Sequence, residues 1–63
     1  MTIYNIDGTT ATEEDQRYYK EEAIEMCDKH HSYDCFVIIP DDDDGHLMPF
    51  ETITDMETWI NQR

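Results

Sequence analysis

The sequence predicts one small α+β domain over residues 1–63, with elements in the order β-α-β-β-α. The sheet is expected to be antiparallel, with one long and one short helix packed on one of its faces. Three observations carry this expectation. The run Cys35-Phe36-Val37-Ile38-Ile39 is apolar, mostly β-branched or aromatic, and is ended by Pro40 and four aspartates, so it reads as a buried strand. Upstream, Tyr19, Ala23, Met26, Cys27 and His30 recur at spacings that place them on one face of a helix. Downstream, Thr54-Asp55-Met56-Glu57 has the form of a capping box and leads into Met56, Trp59 and Ile60.

Each element has a local cause. Residues 1–6 have β-type composition and stop at the turn signal Asp7-Gly8. The first helix begins near Thr12, whose hydroxyl suits an N-cap, while Glu13, Glu14 and Asp15 lie where the helix dipole favours anions. Thr10 with Glu13 offers an alternative start two residues earlier. The helix fades near His30 to Ser32, and residues 34–39 follow as the central strand, with the N-terminal strand beside it. His46 to Thr52 is the hairpin partner. Pro49 lacks a ladder donor, which confines this strand to an edge or gives it a bulge.

Composition narrows the function. Sixteen acidic residues face four basic ones, for a formal net charge of -12. Four cations cannot neutralise a phosphate track, so direct binding to DNA, RNA or anionic lipid is excluded. No apolar run approaches a membrane span and no basic, apolar leader pattern stands at the N-terminus, so a cytoplasmic protein is expected. Although high charge is a signature of disorder, 38% of the residues are hydrophobic and are grouped by element, which favours a folded chain. A domain this small buries only about 60% of the surface its unfolded chain exposes.

Metal and catalytic chemistry find little support. With Gly45 at the sixth position of a calcium loop, Asp42, Asp44 and Glu51 fall on ligand positions, but Pro40 takes the first and has no side-chain oxygen. The flanks are also strand-like. Cys27, His30, His31 and Cys35 include zinc-ligand types, yet no second pair completes a set, and Cys27 and His30 already belong to the apolar face. Both thiols are expected to be reduced, and no cofactor is expected. There is no nucleophile-base arrangement and no glycine-rich phosphate loop, so a non-enzymatic role is expected.

The acids of the first helix are clustered. Glu14, Glu21, Glu25 and Asp28 lie seven, four and three residues apart and form one stripe, with Tyr18 inside it and Asp15 and Glu22 at its flank. Neighbouring acids at these spacings stand about 5–6 Å apart. Asp41, Asp42, Asp43 and Asp44 make a second cluster, and Asp55 with Glu57 a third. Charge runs are ordinarily solvated faces, but those interleave lysine and arginine, and this stripe contains none. Like charges at i,i+4 destabilise a helix, so the crowding has a cost that attraction to a strongly basic partner would offset.

In size, charge and this clustering the chain resembles the small acidic inhibitor proteins of phages and mobile elements, among them anti-CRISPR proteins and other nucleic-acid mimics. The resemblance implies occupation of the basic DNA- or RNA-binding groove of a host defence nuclease complex, in the host cytoplasm. Glu14, Tyr18, Glu21, Glu22, Glu25, Asp28 and Asp41 to Asp44 would then form the partner-binding surface. Similar acidity is found in salt-adapted proteins. The alternative is a small adaptor or regulatory module that docks through apolar surface supplied by Trp59, Phe50, Tyr4 and Tyr33, or that forms a homodimer through its edge strand.

Overall fold

The computed structural model describes residues 2–29, 32–40 and 45–62. Strand β1 is Thr2–Tyr4, helix α1 Glu13–Lys29, strand β2 Cys35–Ile39, strand β3 His46–Phe50 and helix α2 Ile53–Asn61. The β-α-β-β-α order is as expected. The sheet has the order β1-β2-β3, but it is mixed rather than antiparallel. β1 runs parallel to β2, with Ile3 opposite Phe36, while β3 is antiparallel to β2, with Pro49 opposite Phe36. The cause is the connection. A 17-residue helix returns the chain to the end of the sheet where β1 began, as a parallel crossover requires. The short link between β2 and β3 makes only a hairpin.

The helices also lie on opposite faces of the sheet, not on one. Successive strand residues point to opposite sides. Phe36 of β2 packs with Ile3, Leu47, Ala11 and Ala23, against which Tyr19, Met26 and Cys27 of α1 rest. Cys35 and Val37 pack with Phe50 and Met56, joined by Trp59 and Ile60 of α2. Cys35, Phe36 and Val37 are all fully buried, which is why the run is apolar without alternation: a central strand covered on both sides needs apolar residues at every position. Cys27 and Cys35 therefore belong to different cores, neither is in a disulfide, and the sheet between them prevents one from forming.

The caps refine the element starts. Thr12 caps α1, accepting the Asp15 N–H on its hydroxyl at 3.2 Å. Thr10 instead bridges to Tyr4, and the Ala11 N–H donates to the Ile3 carbonyl at 3.0 Å, so residues 10 and 11 cover the outer edge of β1. Helix α2 starts two residues before the expected box. Thr52 is its N-cap and accepts the Asp55 N–H at 3.1 Å, so Asp55 and not Glu57 occupies the third helical position. Pro49 lies in an edge strand, as its missing donor requires. Among the described residues no polar or charged side chain is buried, and no helix is long and apolar enough to cross a membrane.

Candidate functional site: the acidic face of α1

Packing fixes which way α1 points its charges. Ala23 is fully buried against the sheet, with Tyr19, Met26 and Cys27 beside it. Residues about half a turn away face solvent, and Glu14, Glu21, Glu22 and Glu25 are all exposed. Asp15, closer to the sheet, is half-buried. Asp28 lies within the helix, at the end of the stripe; its side chain is outside the described residues, as are Asp41 to Asp44. Leaving half-buried Asp15 aside, Glu14, Glu21, Glu22, Glu25 and Asp28 put five acids along a helical rise of about 21 Å, over which one DNA strand carries about six phosphates.

Tyr18 fills the gap between Glu14 and Glu21. It is 70% exposed, and its ring stands edge-on to Tyr19, with centroids 4.9 Å apart at 79°. Tyr19 is itself packed against the core, so it props the outer ring in place. The pair presents an aromatic surface among the carboxylates. Arg17 borders the stripe but lines, with Lys20, Gln16 and Ile3, a shallow recess of about 200 Å³ beside β1.

Gly45, at the start of the segment that leads into β3, approaches α1 closely. A Cβ at this position would lie 2.7 Å from the Tyr19 hydroxyl and 3.1 Å from the Ile38 side chain. Without a side chain Gly45 makes this approach with no displacement of Tyr19 or Ile38. The prop formed by Tyr19 and its approach to Gly45 were not anticipated from sequence. The clue was the placing of a glycine directly after the aspartates, which alone reads as an ordinary turn.

Other expected contributors fall elsewhere. Asp55 and Glu57 are exposed on α2, across the sheet from the stripe, so they form a separate surface. Phe50 is buried, Tyr4 and Trp59 pack with it on the α2 side, and Tyr33 packs on the α1 side, so these four do not form an exposed apolar patch. Of the calcium-loop candidates, Glu51 is exposed after β3, while Asp42 and Asp44 lie outside the described residues. His30 and His31 lie outside them too. No group of three or more potential metal ligands gathers among the described residues.

Burial pushes the Cys35 thiol above its ordinary range, reinforced by the negative charges of Asp34 and Asp55, so it is a protonated core residue. It donates to the Thr52 carbonyl at 3.6 Å, tying β2 to the cap of α2.

The fold and the site thus define a small α+β domain with one strongly acidic helix face. No family model matches the chain, and comparisons with curated proteins and with solved structures gave no match. Any reading of function rests on the residues themselves.

Proposed function

We propose that this chain is a non-enzymatic acidic inhibitor that imitates nucleic-acid phosphates and blocks the basic DNA- or RNA-binding groove of a host defence nuclease complex, such as a CRISPR effector. The observation that carries the proposal is the outward face of α1, where Glu14, Glu21, Glu22 and Glu25 are exposed around a propped Tyr18. In this reading the carboxylates stand in for phosphates and accept hydrogen bonds from arginine and lysine in the groove. Tyr18 is the aromatic anchor of the contact. The dense field raises the rate of encounter with a basic surface by about 10- to 1,000-fold.

The test is a pull-down from host lysate at low salt, eluted with polyanion. Recovery of a nuclease or other nucleic-acid-binding complex, lost when Glu21 and Glu25 are replaced by lysine, supports the proposal. Both positions are exposed, so the double variant should keep the fold. Recovery undiminished by E21K/E25K would refute it. Such retention would favour docking through another surface.

A further inference from the structure

On the side of the sheet away from α1, the turn after β1 and helix α2 enclose a groove of about 340 Å³. Tyr4, Ile53, Met56 and Ile60 line it, and Ile53 has 46% of its surface exposed. Two carboxylates line it as well, Asp7 from the turn and Glu57 from the helix. The turn holds Asp7 firmly. Its Oδ1 accepts the Thr9 N–H at 3.0 Å and the Thr9 hydroxyl at 2.6 Å, and these bonds keep the carboxyl below its ordinary pKa. Gly8, at φ +92°, completes the turn without a side chain, and Ile60 Cδ1 lies 3.8 Å from where a Cβ would be.

We propose that this groove is a second docking site, which takes an aliphatic side chain flanked by lysine or arginine from an extended segment of a basic partner protein. The proposal rests on the reading that the partner is a basic protein. The apolar side chains among its lining, exposed Ile53 above all, favour an aliphatic side chain by removing its surface from water. Asp7 and Glu57, which line the same groove, favour cations beside that side chain. An anionic lipid or nucleotide would meet the same carboxylates and the net charge of -12 with the wrong sign. A second copy of this chain would bring an equal negative charge with it. The groove is near the lower end of the volume range of small-ligand sites, which is enough for one side chain and its immediate neighbours.

The probe is the peptide Ac-Lys-Leu-Lys-amide, titrated at physiological salt into isotope-labelled protein and followed by amide chemical shifts. Saturable shifts are expected at Gly8, Ile53 and Asn61. Replacing the peptide leucine by serine, or the protein variants I53S and E57K, should each weaken binding by about tenfold, the scale of one well-docked aliphatic or charged contact. The E21K variant on α1 should leave these shifts unchanged. Both Ile53 and Glu57 are exposed, so their variants keep the core intact. Shifts confined to α1, equal binding of the serine peptide, or no saturable shifts would each overturn the groove site. Shifts confined to α1 would place the cationic peptide on the acidic stripe instead, the other two outcomes leave the stripe untouched, and failure of the lysate pull-down would not alter the peptide result.

Discussion

Raising NaCl from about 0.01 M to about 0.1 M should stabilise this domain by about 3 kcal/mol. The cause is the net charge of -12 confined to a radius of gyration of 11.0 Å. A sphere of that compactness has a radius of about 14 Å and, with its charge spread over the surface, an unscreened self-energy in water of about 21 kcal/mol. The unfolded chain has a radius of gyration of about 24 Å and spreads the same charge much further. With a Debye length of about 30 Å, repulsion disfavours the folded state by roughly 9.5 kcal/mol relative to the unfolded one, and at about 10 Å by roughly 6.5. The difference is a large part of the roughly 3–9 kcal/mol that a chain of this length has in total. Urea unfolding followed by circular dichroism measures it directly, because urea adds no ions. The corresponding rise in Tm is about 12–24 °C. If stability were level between the two salt concentrations, the folded charges would not be repelling one another. Their clustering would then carry no cost for a partner to offset.

Gly45→Ala should destabilise by about 1–3 kcal/mol, as overpacking does, because the new methyl meets Tyr19, Ile38 and the Ile39 carbonyl. Adding Tyr19→Phe removes the nearest of these contacts, so the double variant should lose less than the sum of the singles in the same urea assay. Thr52→Ala should lower stability by about 1 kcal/mol through loss of the α2 cap, whereas Thr54→Ala should change it by less than about 0.5. Equal effects at the two threonines would put the cap in the wrong place. Cys35 makes stability depend on alkaline pH. Its folded pKa is raised, so its contribution is full below the ordinary value of 9.0 and is lost as pH rises through the folded value. Between those two values Cys35→Ala should show a shallower fall than the parent protein, and parallel curves would contradict this.

The helix faces were legible in the sequence because apolar spacing reports burial directly, and Tyr19, Ala23, Met26 and Cys27 do pack as their spacing implies. The strand at residues 35–39 was legible for the same reason. Its direction relative to β1 was not, since pairing depends on the path of α1 between them. A one-faced sheet was nonetheless at odds with the sequence: Cys35 to Ile39 has no polar residue to turn toward water, so both faces had to be covered. Thr52 and Thr54 are equally good caps by composition, and only the end of β3 at Phe50 selects the first. For the site, exposure of Glu14, Glu21, Glu22 and Glu25 followed from helical periodicity. That Asp55 and Glu57 lie across the sheet from them, and that Tyr19 props Tyr18, depends on contacts between distant parts of the chain.

The most direct test of the charge-mimicry reading is the affinity for the captured partner as a function of salt, with a competing oligonucleotide. If the α1 carboxylates occupy a phosphate-binding groove, Kd should rise steadily as NaCl increases, and the oligonucleotide should displace the protein from the same site. A complex that holds its affinity or tightens with salt, and that binds protein and oligonucleotide together, would contradict it.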